Sequence, residues 1–174
     1  MILHIVRHPE AKPQDQTVDD QQRQVTKKGA KKFKAVLQQY IDAGEMKPDV
    51  IFCGPETRNM QSGEIARDMF GLNPADMVQD RNLAVDGDPK KLLADIQTWV
   101  KAKGDDKKSE VLVIGSNPTL AAFFQLVHGL GTKAGESGSV KLKKASVAKL
   151  KVYGISGSAP SSELRSYLPP GLAA

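Results

Sequence analysis

Ile2-Leu3-His4-Ile5-Val6-Arg7-His8-Pro9-Glu10 is an almost unbroken apolar run that ends on an arginine and a histidine. Short apolar runs bounded by turn residues fit strands buried on both faces, as in a parallel sheet. A buried strand needs no basic residue, so Arg7 and His8 at its exit suggest an anion site. The imidazole can act as nucleophile and the guanidinium as a forked donor to oxygen. The pattern recurs downstream. Residues 49–53 run into Gly54-Pro55-Glu56-Thr57-Arg58, and residues 111–115 run into Ser116-Asn117-Pro118. Ligands of open α/β sheets bind outside the carboxyl ends of the strands. Arg7, His8, Arg58, Ser116 and Asn117 are therefore predicted to converge on one pocket.

The intervening segments complete the plan. Residues 12–25 lack periodicity and read as a loop leading to a helix capped by Thr26. A second helix is predicted from near Arg58 to Gly71, with Met60, Ala66, Met69 and Phe70 on its apolar positions. A third takes Asp88 as its cap and Pro89 as its first residue, buries Leu92, Leu93, Ile96, Trp99 and Val100, and ends at Gly104. A fourth takes Asn117 as cap and Pro118 in its first turn, has a core-facing stretch over residues 120–127, and points its free amide groups at the crevice. His128, near its end, reads as a capping cation. Residues 132–140 read as an exposed loop. Ala148, Leu150 and Val152 alternate with Val147, Lys149 and Lys151 as a strand with one face on the core. Residues 154–162 are turn-like, and residues 163–168 form a last short strand stopped by Pro169 and Pro170. The order strand, helix, strand, helix, helix, strand, helix, strand, strand predicts an α/β protein: a three-layer α/β/α sandwich around a mostly parallel sheet.

The 174 residues suit one domain spanning 1–174, and 40% hydrophobic with 26% charged residues is ordinary for a globular chain. No apolar run approaches the roughly 20 residues that cross a bilayer, and no leader-like segment opens the chain, so a cytoplasmic protein is expected. Cys53, the single cysteine, reads as a small buried hydrophobe. His4, His8 and His128 have no metal-ligand spacing, so neither metal nor cofactor is expected. The net charge of +5 comes with lysine clusters at Lys27, Lys28, Lys31, Lys32 and Lys34 and at Lys141, Lys143, Lys144, Lys149 and Lys151. The first cluster shares a helix with Phe33, Val36, Leu37, Tyr40 and Ile41, which makes it the solvated face of an amphipathic helix. Such lysines can steer an acidic protein partner or a phosphorylated substrate. Nucleic acid is disfavoured because no aromatic stripe accompanies them.

Five motifs occur in a telling order: a strand followed by Arg7-His8-x-Glu10-Ala11; Thr26-x-x-Gly29 opening a helix; Pro55-x-x-Arg58-x-x-Gln61; the turn Asp86-Gly87-Asp88-Pro89; and Gly115-x-Asn117-Pro118. With the tail Leu168-Pro169-Pro170-Gly171, this order resembles the histidine phosphatase superfamily over nearly the whole chain, most of all its SixA-type protein phosphohistidine phosphatases. The resemblance implies a phosphoglycerate-mutase-like fold. It also implies a phosphatase acting on phosphohistidine in proteins through a phosphohistidine intermediate on His8. The family writes glycine where this chain has Pro9, and usually a second histidine where this chain has Ser116.

Phosphoryl transfer asks a protein mainly for positioning and positive charge. In that scheme His8 attacks phosphorus while Arg7 and Arg58 hold the phosphoryl oxygens, with Ser116 and Asn117 completing the phosphate site. Pro9 fits an extended strand end and is expected to be tolerated. Ser116 cannot supply an imidazolium's charge, and losing one such stabilising donor costs on the order of 10²–10³ in rate. Reduced activity is therefore expected, and the alternative is a catalytically impaired module that binds phosphate or phosphohistidine. Glu10 and Asp86 could serve as acids but read as loop carboxylates. A leaving imidazole needs little acid help, so the lack of an obvious acid favours phosphohistidine over phosphomonoesters. A mutase or sugar-phosphate phosphatase of the same superfamily ranks third, because the resemblance implies an acid and a covering insertion for those activities.

Overall fold

The computed structural model describes residues 1–14, 19–129, 141–157 and 160–170. Its elements are β1 (Ile2–Arg7), α1 (Lys27–Asp42), β2 (Val50–Cys53), α2 (Thr57–Phe70), β3 (Met77–Gln79), α3 (Pro89–Lys103), β4 (Glu110–Gly115), α4 (Thr119–His128), β5 (Val147–Tyr153) and β6 (Ser161–Leu168). Short 3₁₀ turns occur at Asp20–Gln22, Pro74–Asp76 and Arg81–Leu83. The six strands form one sheet in the order β3-β2-β4-β1-β5-β6. The first four of these run parallel, whereas β5 pairs antiparallel with both β1 and β6. The predicted parallel body is present and ends in an antiparallel edge.

The apolar run of β1 is explained by burial on both faces. Leu3 and Ile5 pack with Val50, Phe52, Val111 and Val113 against one core that includes Leu92 and Ile96 of α3 and Phe123 and Phe124 of α4. Val6 packs with Ile51, Leu112 and Ile114 against a second core that includes Phe33, Val36 and Leu37 of α1 and Ala66 of α2. Alternate side chains of each central strand therefore feed opposite helical layers, which is the predicted sandwich. His4 takes the second face at a position where its neighbours are apolar. It is fully buried, bonded through Nε2 to Glu110 at 2.8 Å, and edge-on to Tyr40.

The helix ends follow local chemistry closely. Thr26 Oγ1 accepts the Gly29 N–H at 2.9 Å, and the carbonyl of Glu10 accepts the Thr26 N–H at 2.9 Å. A Cβ at Gly29 would lie 2.4 Å from that Glu10 carbonyl, so only glycine lets α1 approach the loop after His8 so closely. Asp88 caps α3 by accepting from Lys90 N–H and Lys91 N–H, and Gly71 and Gly104 end α2 and α3 in the left-handed conformation.

Several expectations need correction. α4 begins at Thr119 with Pro118 as its cap, not Asn117. The Asn117–Pro118 bond is cis, and the Asn117 Oδ1 is buried without a partner instead of bonding the helix amides. The Leu120 N–H is already taken by the Ser116 carbonyl at 3.0 Å. His128 sits in the last turn of α4 with its ring tilted against Phe124, 5.4 Å between centroids, and its Nδ1 has no partner among the described residues. That nitrogen therefore caps no carbonyl. β3 was not anticipated, because three residues are too few for a period to show. The stretch 12–25 is more ordered than a featureless loop: it holds the Asp20–Gln22 turn and a bridge between Ala11 and Val25. The predicted loop at 132–140 lies outside the described residues, as do Gly171 of the tail and residues 158–159 of the predicted turn. β6 starts two residues earlier than expected.

Candidate active site

Three parallel strands end side by side. The His8 N–H donates to the Gly115 carbonyl at 3.2 Å, and the Gly54 N–H donates to the Ile114 carbonyl at 3.0 Å. The residues that follow β1, β2 and β4 are thereby brought to one edge of the sheet, as predicted for Arg7, His8, Arg58 and Ser116.

His8 is buried, with 5% of its surface exposed. Its Nδ1 lies 2.7 Å from the Pro9 carbonyl. A carbonyl only accepts, so Nδ1 carries the hydrogen and Nε2 keeps its lone pair, with no protein hydrogen-bond partner among the described residues. Burial pushes the imidazole down to about 4; the Pro9 carbonyl opposes this, and the charges of Arg58, Arg7 and Lys144 add to it. At neutral pH the ring is uncharged, and the Arg58 and Arg7 guanidinium groups are near enough to act on it electrostatically. Pro9 lacks an N–H but keeps the backbone carbonyl that fixes the tautomer.

Arg58, on the first turn of α2, is 4% exposed and fully engaged. Its Nε donates to Ser116 Oγ at 3.2 Å, its Nη1 to the Asp20 carbonyl at 2.5 Å and its Nη2 to Asp20 Oδ2 at 3.0 Å. Asp20 stands on a strap held from both sides. Arg23 donates to Asp20 Oδ1 at 2.7 Å and to the Lys12 carbonyl at 2.6 Å, and Gln61 Oε1 accepts the Val25 N–H at 2.8 Å. The hydrogen bond from Arg23, joined by Arg58, holds the Asp20 carboxyl below the usual carboxylate range. Asp20 is thus an internal anion on the guanidinium. Gln61, picked out in the sequence for its motif spacing, is the anchor of that strap on α2.

Ser116 is not a bare substitute for a larger residue. Its Oγ receives the Arg58 Nε–H and the Asn59 Nδ2–H, the latter at 3.2 Å, and can donate to Asn59 Oδ1 at 3.3 Å. Asn59 in turn donates to Glu56 Oε2 at 2.6 Å, and Glu56 Oε1 accepts the Val85 N–H at 2.9 Å. All four of Glu56, Arg58, Asn59 and Ser116 are buried. A Cβ at Gly54 would fall 2.6 Å from Asn59 Nδ2, so that glycine makes room for the network. Sequence reasoning missed Glu56, Asn59 and Asp20. The first two flank Arg58 and were visible as polar residues beside a motif arginine, whereas Asp20 carries no local signal.

The remaining candidates take no part in these hydrogen bonds. Asn117 makes no hydrogen bond to His8, Arg7 or Arg58. Glu10 is exposed and contributes its backbone carbonyl to α1. Asp86 is exposed and doubly bonded to Arg81 at 2.8 Å, which holds its carboxyl below the usual range and leaves it ionised. Cys53 is buried, and burial pushes its thiol up to about 12, so it is no nucleophile.

No family model and no curated protein matches the sequence. Solved structures do match it. The protein histidine phosphatase SixA complexed with tungstate superposes with a TM-score of 0.81 over 100% of both chains, at 17% identity. A chain from Nakamurella multipartitia described as phosphohistidine phosphatase SixA superposes at 0.73, with 22% identity over 97% of this chain and 95% of that one. A mycobacterial glucosyl-3-phosphoglycerate phosphatase superposes at 0.65, with 11% identity over 94% and 96%. The chain has the phosphoglycerate-mutase-like fold of the SixA histidine phosphatases.

Proposed function

We propose that this chain acts as a single-domain cytoplasmic phosphatase that removes phosphate from phosphohistidine in proteins. The observation that carries the reading is His8: an uncharged, tautomerically fixed imidazole at the exit of β1, with Nε2 unpartnered among the described residues and the charges of Arg7 and Arg58 acting on it. The likeness to SixA, solved with the oxyanion tungstate, supports a tetrahedral anion as the ligand.

In the first step the lone pair of Nε2 attacks phosphorus in line, and the phosphorus–nitrogen bond of the substrate breaks. The departing imidazole takes a proton from water, so no buried acid is required. In the second step water attacks the phosphoryl group on His8, Nε2 leaves, and inorganic phosphate departs. Arg7 and Arg58 balance the charge on the phosphoryl oxygens. Asp20 must first yield its place on Arg58. Ser116 holds Arg58 and Asn59 in position, and its role is that of a neutral hydrogen-bonding post.

A second reading is favoured by one observation: each of the three guanidinium nitrogens of Arg58 already donates a hydrogen bond within the chain, which suits a module that binds phosphohistidine with little turnover. One assay separates the two. Hydrolysis of a histidine-phosphorylated protein is followed for the native chain and for His8→Ala, with tungstate binding measured in parallel. The phosphatase reading expects a loss of at least about 10³-fold on removing the nucleophile. Equal rates with tungstate bound identify the binding module, and equal rates without tungstate binding remove both.

A further inference from the structure

Beside the His8 site lies a cleft of about 410 Å³ whose charged lining among the described residues is five cations, Arg7, Lys32, Lys141, Lys143 and Lys144, and one carboxylate, Glu10. The lysines come from two places far apart in sequence, α1 and the segment leading into β5. None of the four forms an ion pair among the described residues.

The segment that carries three of them is held in place. Arg7 Nη1 donates to the Leu142 carbonyl at 3.0 Å, and the Ala145 N–H donates to the Arg7 carbonyl at 2.9 Å. Tyr167 Oη accepts the Lys143 N–H at 3.2 Å and donates to the Lys141 carbonyl at 2.8 Å. Leu142 and Ala145 are buried anchors, while Lys141, Lys143 and Lys144 between and beside them are exposed. Gathering like charges costs energy, and fixing their backbone forgoes the chance to spread them. Arg7 belongs to both the cleft and the strand end, and its Nε is buried without a partner among the described residues. Lys144 is near enough to act electrostatically on the His8 ring. Cleft and reaction site are therefore contiguous.

We infer that this cleft is a docking subsite for the carboxylate side chains of an acidic protein surface that presents its phosphohistidine to His8, a reading that rests on the proposed function. Flexible ammonium groups around an open cleft suit several scattered carboxylates better than one bidentate anion, which calls for forked donors. The lining has no aromatic side chain on which a nucleobase could stack.

The test uses two histidine-phosphorylated peptides that differ only in flanking Asp and Glu against Asn and Gln. Their affinities are measured for the full chain, for Lys32→Ala/Lys143→Ala and for Lys32→Arg/Lys143→Arg. The native chain is expected to prefer the acidic peptide by about tenfold at low salt, less at 0.5 M salt, where charges are screened beyond ~4 Å. The alanine pair should bring the preference to within about twofold, and the arginine pair should keep it. Equal or undetectable binding of the two peptides to the native chain, or a preference that survives the alanine pair, overturns the inference. So does a single-stranded oligonucleotide that displaces the acidic peptide at lower concentration than an acidic competitor peptide. Because affinity is read without turnover, failure of the His8 assay sinks the phosphatase reading alone, and loss of the preference with hydrolysis intact sinks the docking subsite alone.

Discussion

At position 116 a hydroxyl stands where the family resemblance implies an imidazole, and both Arg58 and Asn59 donate to it. Asn59 fills the space beside Ser116 Oγ and is pinned by Glu56, so the pocket wall is complete without a second histidine. A histidine placed there meets a buried amide 3.2 Å away and overpacks the wall, a change that typically costs about 1–3 kcal/mol. Ser116→His alone is therefore expected to lower the melting temperature and leave phosphohistidine hydrolysis within about threefold of native. Ser116→His with Asn59→Ala, which makes room for the ring, is expected to raise hydrolysis by tenfold or more by restoring a charged donor. Melting curves and initial rates check both; a full rise in the single variant at unchanged melting temperature would refute the account of Asn59. Arg7, His8 and Arg58 were legible as candidates because each lies just beyond an apolar run that has no use for charge. Asn59 was not, because an asparagine inside a helix has no period or cap to betray it.

Among the elements, the strap around Asp20–Gln22 has the most direct hold on function. It was read as loop because its hydrogen-bond partners, Arg58 and Gln61, lie on α2, nearly forty residues away in sequence. Asp20 accepts from the Arg58 donors that the proposed function assigns to a phosphoryl group, and on that proposal anion binding is a competition. Asp20→Asn keeps the shape and removes the charge. Tungstate is expected to bind that variant about three- to tenfold more tightly, up to roughly 1.4 kcal/mol, measured by titration calorimetry at constant ionic strength. Unchanged affinity would mean that Asp20 does not compete. By contrast, α1 and α3 were readable to the residue at their starts. Thr26 and Asp88 satisfy amides only two or three positions away, and such contacts are written in adjacent sequence.

For the whole molecule, burial of two histidines ties stability to pH. Burial lowers the pKa of His4 and that of His8, the latter to about 4 from 6.5. The unfolded chain takes up these protons first as pH falls, so the stabilisation is complete above 6.5 and is lost on the way down toward 4. His8 alone contributes up to about 3 kcal/mol across that window. Urea midpoints should fall between pH 7 and pH 5, and His8→Gln should flatten part of the slope; an unchanged midpoint in the native chain would contradict the burial of both rings.

Five of the six described strands and the four helices in approximate position, two helix caps, the buried state of Cys53 and the arginine–histidine pair at a strand exit were readable from residue order, because each depends on neighbours within a few positions. The short strand β3, the antiparallel edge, the Glu56–Asn59–Ser116 network, the hold of Asp20 on Arg58 and the meeting of Lys32 with residues 141–144 were not. They join residues tens to over a hundred positions apart, and such pairings follow from how layers pack, a property that no local window of sequence contains.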